Sequence, residues 1–260
     1  MSATCLASRA LLRLSPTADG EDVAAFLQGL VTQDVTGDLP VWAGLLTPQG
    51  KYLADFFVVN TGEMLLLDIN ESLADTTLRR LTMYKLRSDV AFGPSALVAI
   101  RGLGPAPADA LPDPRHEALG WRAYRSLGDA PQIDWDAIRV AHVIPESRIE
   151  LIPDDSYLLE NGFERLNGVN FRKGCYVGQE VVSRMQHRGT ARTRVIFDTN
   201  GNKLLLEHRM PSGKLLGSAQ LFSQIIASQS GLSRDAQSDI RQLSELITSV
   251  TPQVTQTLGE

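Results

Sequence analysis

Residues 173 to 180 read Lys-Gly-Cys-Tyr-Val-Gly-Gln-Glu, placing a thiol, two glycines, a phenol, an amide and a carboxylate within eight positions. Cys175 is one of only two cysteines in the chain. Between Arg165 and Arg194 stand seven basic residues (Arg165, Arg172, Lys173, Arg184, Arg188, Arg192, Arg194) against one acid, Glu180, in a chain of formal charge -5. Lys173, Arg172 and Arg184 would favour a thiolate, and a cysteine of lowered pKa is a nucleophile or a metal ligand. Gly174 and Gly178 would let the backbone take positive φ or approach a ligand closely. The competing reading of Cys175 is a small buried hydrophobe in a glycine-bounded turn. His187 is the only nearby histidine, and no Asp/His arrangement completes a hydrolase triad.

Other side chains carry paired readings. Gln179 and Glu180 together offer donors and acceptors to a heteroaromatic ring, whereas Glu180 could equally answer the arginines as a solvated ion pair. Tyr176 either stacks on a ligand or packs in the core. His187 reads as a hydrogen-bonded surface residue. Asp55 lies in an otherwise apolar run, Tyr52 to Val59. Its carboxylate faces a cavity, accepts from backbone N–H groups of a neighbouring loop, or sits on the solvent side by alternation.

Two cysteines make no disulfide framework, so a reducing compartment is the default. They cannot supply the four thiolates of a closed zinc or iron–sulfur site. A cluster bound here would take ligands from another chain or small molecule, so no stably bound metal is expected. The chain has no Gly-x-x-x-x-Gly-Lys-Ser/Thr, Gly-x-Gly-x-x-Gly or His-Glu-x-x-His, which removes the commonest nucleotide and zinc-protease readings. Net negative charge argues against a nucleic-acid coat, and the basic stretch lacks the interleaved aromatics that base stacking wants. Direct nucleic-acid binding is not expected; a local anionic partner is. No apolar run approaches the roughly 18 residues of a membrane-spanning helix.

The elements that must position these groups show in the periodicity. Arg9 and Arg13, with no acid before Asp19, faintly suggest a transit peptide, but Leu6 to Leu14 reads better as a first strand. Asp19 can cap a helix with the stripe Val23, Phe26, Leu27 and Leu30. Leu45 to Val59 reads as a hairpin around the turn Thr47-Pro48-Gln49-Gly50. Met64 to Ile69 suits a buried strand, and Asn70 precedes a helix with Leu73, Thr77, Leu81 and Tyr84 on one face. Strands follow near Asp89 to Phe92 and Ala96 to Ile100. Residues 102 to 115, with four prolines and two glycines, read as a surface connection. Trp121 to Arg125 is a strand, and Trp135 to Val143 a helix or strand. Antiparallel strands with inserted helices and no regular βαβ alternation give an α+β class. Beyond about Thr199 the chain turns rich in Ser, Gln and Thr, and Ile240, Leu243, Ile247 and Val250 mark a peripheral amphipathic helix.

Lys173 to Glu180, preceded by Asn167-Gly168-Val169-Asn170-Phe171, resembles the signature of the YgfZ family, folate-binding proteins related to the aminomethyltransferase (T-protein) of glycine cleavage. The resemblance continues through Phe26-Leu27-Gln28-Gly29-Leu30-Val31-Thr32-Gln33-Asp34-Val35, Leu46 to Lys51, Tyr84 to Arg87 and Asp113-Pro114-Arg115, and so spans roughly residues 6 to 195. It implies a multi-lobed T-protein-like fold, with antiparallel sheets and flanking helices around a central channel that accepts tetrahydrofolate or a one-carbon derivative. The lobes are expected at 1–101 and 102–194, followed by a divergent segment 195–260. The resemblance also implies an accessory role in assembly or repair of [4Fe-4S] proteins, including cluster-dependent tRNA-modifying and lipoate-forming enzymes. Partners would be folate and iron–sulfur client or assembly proteins, in the bacterial cytoplasm or, in a eukaryote, the mitochondrial matrix. The alternative is a tetrahydrofolate-dependent aminomethyl transferase, so catalytic status stays open. Cys175 is the functional thiol it implies, and Lys173, Tyr176, Gln179, Glu180, Arg184 and Asp55 are the candidate folate contacts. A basic rim suits the anionic glutamates of a folate tail.

Two departures from the family pattern stand out. Val143 occupies a usual glycine position, and a β-branched residue does not readily take positive φ. Residues after about 199 lack the strand-and-glycine pattern of the family's terminal β-barrel lobe, which leaves that lobe in question.

Overall fold

The computed structural model describes residues 2–5, 8–18, 22–38, 40–62, 64–86, 88–126, 133–187, 193–197 and 203–207. In chain order the elements are β1 (Ser2–Cys5), β2 (Arg9–Pro16), α1 (Val23–Gln28), β3 (Val41–Leu46), β4 (Tyr52–Asn60), β5 (Leu65–Asn70), α2 (Glu71–Lys85), β6 (Val90–Pro94), β7 (Val98–Leu103), β8 (Leu111–Pro112), β9 (Trp121–Arg125), α3 (Trp135–Ala141), α4 (Gln179–His187), β10 (Thr193–Phe197) and β11 (Lys203–Glu207). A five-stranded sheet runs β3-β4-β5-β2-β6, a four-stranded sheet runs β1-β7-β9-β8, and β10-β11 form a separate pair. Every strand pairing in the three is antiparallel. The α+β class therefore holds.

The larger sheet exists because its strands are nearly all apolar. β4 runs buried from Ala54 to Val59 and β5 from Leu65 to Ile69, the pattern of strands covered on both faces rather than half-solvated. α2 covers it, with Asn70 accepting from Ser72 N at the N-terminus and Leu73, Thr77 and Leu81 turned inward. α1 is shorter than its stripe suggests. Asp22, not Asp19, caps it by accepting from Ala24 N and Ala25 N, and Leu30 packs from the turn beyond. Asp19 lies outside the described residues, as do Arg87, Arg188, Arg192 and the segment with Ile240 to Val250.

One expectation needs correction. The stretch read as a surface connection ends inside the molecule, where Asp113 and Arg115 are buried; their mutual ion pair and Arg122 make that burial tolerable. β11, at Lys203–Glu207, is a strand beyond residue 199 that pairs with β10.

Val143 does take a left-handed backbone, with φ of 52°. It ends α3 in the position after the cap, where Val143 N donates to Val140 O and Ile144 N to Arg139 O. This is the hydrogen-bond pattern of a glycine-type helix stop. Arg165 Nη2 donates to the Val143 carbonyl at 2.6 Å and helps hold it. The branched side chain is strained there, so Val143→Gly should raise stability by about 1 kcal/mol after the entropy of the glycine is counted. Chemical denaturation reads this, and an unchanged or lower stability would contradict it.

Candidate functional site

The segment 173–180 is an anchored loop leading into α4. Lys173 is buried, and its Nζ donates to the carbonyl oxygens of Gln28 (2.8 Å), Val31 (2.6 Å) and Gln33 (2.9 Å). Those carbonyls belong to the end of α1 and the turn after it, which has no further helix to use them. Burial pulls the Lys173 pKa down to about 8, against the opposing charge of Asp34. The ammonium is therefore engaged as a clamp between two distant segments. Three more hydrogen bonds tie the same turn: Thr32 Oγ1 donates to Gly168 O and accepts from Gly44 N, and Asn170 N donates to Thr32 O.

The glycines divide by role. Gly178 has φ of +83°, and a Cβ there would lie 2.6 Å from the Thr47 carbonyl oxygen. Gly50, at the hairpin turn, has φ of +74° and faces Val181 in the same way. Each glycine thus lets the β3–β4 turn and the start of α4 touch. Gly174 has no positive φ, and a Cβ on it would meet no atom within 4 Å. Gly178→Ala should cost about 2 kcal/mol, while Gly174→Ala should change thermal stability little; equal effects would refute the assignment.

Cys175 itself is exposed and free. Arg172 is exposed nearby in sequence, and Arg184 pairs with Glu180 across one turn of α4. Glu180 is 82% exposed at its side chain, so this pair is a solvated one. Tyr176 packs into the core at 7% exposure, and burial pushes its phenol up to about 12. Gln179 is half-buried at the first turn of α4, its backbone N donating to Tyr176 O. Asp55 is buried under three donors, Trp42 Nε1 (2.8 Å), Tyr52 Oη (2.6 Å) and Ser147 Oγ (2.6 Å). The structure brings Lys173, Cys175, Tyr176, Gln179, Glu180 and Arg184 together on one loop and helix. Asp55 stands apart, on β4.

A second feature escaped the sequence reading. A cavity of about 480 Å³ lies where β2, β7, β9 and α3 approach one another; Arg9, Arg101, Arg115, Arg122 and Arg139 all reach it. Trp135, Leu119 and Ile144 supply apolar wall, and Asp134, Asp136 and Glu146 also line it. Behind the arginines sit two buried carboxylates. Asp68 accepts from Arg9 Nε (2.6 Å), Arg122 Nη1 (2.6 Å) and Tyr124 Oη (3.1 Å). Asp113 accepts from Arg115 and Arg122. Burial alone would raise both carboxyls, but the guanidinium charges hold them below the usual range. Phe57 stacks beneath this cluster, with Arg122 3.7 Å and Arg115 4.8 Å from its ring centre. The one sequence signal was Arg101 and Arg122, charged residues inside otherwise apolar or aromatic strands. Among the described residues no three His, Cys, Asp or Glu side chains cluster as metal ligands.

No family model matches the chain. It is similar to the mitochondrial iron-sulfur cluster assembly factor IBA57 of Mus musculus, 30% identical over 237 residues that cover 74% of this chain and 65% of that protein. It is likewise similar to the IBA57 homologue of Neurospora crassa, 29% identical over 233 residues. The chain spans about half the length of such fungal relatives, 52% in that case. Among solved structures it is similar to the glycine cleavage system aminomethyltransferase T from Bartonella henselae, with a TM-score of 0.53, 12% identity and coverage of 79% of this chain and 73% of that one. The fold is thus the aminomethyltransferase T fold.

Proposed function

We propose, from the premise that this chain is a YgfZ-type relative of the IBA57 iron-sulfur cluster assembly factors, that it serves assembly or repair of [4Fe-4S] proteins through an exposed thiol and a folate-sized cavity. The observation that carries the reading is the loop of Cys175. An exposed, unpaired cysteine stands two residues after a lysine clamped to three backbone carbonyls. A presented thiol on a fixed loop suits handing over or protecting a cluster, which is cargo here: one thiolate supplies one ligand and a partner supplies the rest. The cavity volume is in the range of small-molecule sites, and the resemblance of Lys173 to Glu180 to the signature of the folate-binding YgfZ family supports tetrahydrofolate as its occupant. Lys173, Gln179, Glu180 and Arg184 then act by shaping the loop rather than by touching folate.

Partners of this reading are iron–sulfur clients or assembly proteins, and the relatives' names, which call them mitochondrial, support a mitochondrial location if the host is eukaryotic. No helix among the described residues is long and apolar enough to cross a membrane. The transferase reading needs an acid at the folate nitrogen, and Asp55 is buried and already accepts from three protein donors. Complementation and calorimetry with Cys175→Ala test the proposal. The variant should bind tetrahydrofolate as the wild type does, yet fail to restore cluster-enzyme activity in cells lacking the protein. Full restoration would remove the thiol from the mechanism, and absence of tetrahydrofolate binding by the wild type would remove folate. Release of ammonia from an aminomethylated carrier protein would select the transferase.

A further inference from the structure

The arginines around the cavity are not equivalent. Arg9 and Arg122 share Asp68, Arg115 and Arg122 share Asp113, and Arg139 pairs with Glu150 and Asp136. Arg101 has no such partner. Among the described residues its side chain makes no ion pair or hydrogen bond, its Nε is a buried donor without an acceptor, and the whole residue is 6% exposed. The Trp135 ring lies 3.9 Å from its guanidinium carbon, and the Trp135 Nε1–H is also buried and unpartnered among the described residues. Both side chains line the cavity.

The strand register sharpens the point. Arg101 on β7 lies directly opposite Arg122 on β9, and like charges placed so repel each other across a sheet. Arg122 is neutralised twice over, whereas no carboxylate forms an ion pair with Arg101 among the described residues. Desolvation and the charges of Arg122 and Arg115 push Arg101 down to about 9, against the weaker attraction of Asp113 and Glu146. Buried charges are ordinarily paired, and among the described residues no side chain accepts from the Arg101 Nε. Asp134 is spent on capping α3 through Ala137 N, and Asp136 on Arg139. Glu146 is half-buried, lines the same cavity and forms no ion pair with Arg101.

We propose that the cavity is an anion site, in which a carboxylate or phosphate group of a small ligand seats on the Arg101 guanidinium beside the Trp135 indole N–H. A guanidinium is the side chain suited to such groups, because its fixed fork of donors matches two oxygens at once. The apolar wall of Leu119 and Ile144 then takes the body of the ligand. Glu146 is the counterweight: its carboxylate weakens anion binding and sets an upper limit on ligand charge. The inference does not depend on the ligand being a folate. The shared chemistry comes either from the glutamate tail of a folate or from a free carboxylate or phosphate.

Calorimetry and thermal-shift measurements on the full chain separate these, using tetrahydrofolate, its triglutamate, tetrahydropterin without a tail, glutarate and inorganic phosphate as probes. At least one anionic probe should bind, and Arg101→Met should weaken it 30-fold or more, while the free variant melts no lower than the wild type because an unpaired buried charge has gone. Glu146→Gln should tighten the same probe several-fold, a gain that a merely structural role for the pair does not produce. Binding of glutarate or phosphate without any folate keeps the anion site and removes the folate occupant. Tetrahydropterin binding as tightly as tetrahydrofolate, unchanged in Arg101→Met, keeps the folate occupant and overturns the anion site. No binding by any anionic probe also overturns it.

Discussion

Asp68→Asn should lower folding stability by about 3–5 kcal/mol, enough to leave much of the protein unfolded at physiological temperature. The carboxylate accepts from Arg9 on β2 and from Arg122 and Tyr124 on β9, so it joins the two larger sheets at full burial. Its removal as a charge leaves two guanidinium groups facing each other without water. The exposed pair of Arg125 with Asp109 is the internal control, because solvent-screened ion pairs contribute little; Asp109→Asn should leave the unfolding curve in place. Combining Asp68→Asn with Arg122→Met should recover part of the loss, since the second change removes the stranded charge. If Asp68→Asn were as harmless as Asp109→Asn, the cluster would have no structural weight. The same cluster sets the acid limit. Asp68 and Asp113 have folded pKa values below their unfolded ones, so their contribution is complete above about pH 4 and is lost as pH falls through the folded values. Stability measured from pH 7 downward should hold until about 4 and then drop, and the drop should be shallower in Asp68→Asn.

Lys173→Met should loosen the Cys175 loop and cost about 3 kcal/mol, because three carbonyls lose one charged donor group at once. Lys173→Arg should not rescue it: a planar fork does not converge on three oxygens as an ammonium does. Hydrogen exchange is the decisive readout. Amides at Thr32 to Asp34 and at Tyr176 to Gln179 should lose protection in both variants while β4 and β5 keep theirs. Uniform loss across the sheet would mean that Lys173 serves global stability instead of the loop, and unchanged exchange would remove its role as a clamp.

How far the sequence could be read depended on whether the cause was local. β4, β5 and α2 were legible because runs of buried apolar residues and an Asn cap act within a few residues. The hairpin turn was legible from Pro48 and Gly50, although what Gly50 touches, Val181, was not. The Cys175 segment stood out by composition, but its lysine was assigned to the thiol when its acceptors lie some 140 positions earlier. Arg101 and Arg122 stayed unseen for a related reason. An arginine in a strand reads as a solvent-facing residue by alternation, and only the meeting of two sheets reveals that Asp68, 54 positions from Arg122, makes its burial possible. Asp55 shows the converse. Its isolation in an apolar strand marked it correctly as unusual, while the three donors that satisfy it come from β3, β4 and a loop 92 residues away.

The clamp at Lys173 also carries an order of events in time. Its three acceptors are separated from it by 140 to 145 residues, so the loop that presents Cys175 closes by some of the longest-range contacts in the chain. Such closures come late, after local hairpins have formed and the entropy of the intervening chain has been overcome. A ribosome-bound chain can therefore complete β3, β4, β5 and α2 well before residue 173 is made. During that interval the turn from Gln28 to Gln33 has no lysine to hold its carbonyls. The thiol reaches its final position only when synthesis of everything that shapes it is finished, so an unfinished chain would not present the loop to a cluster.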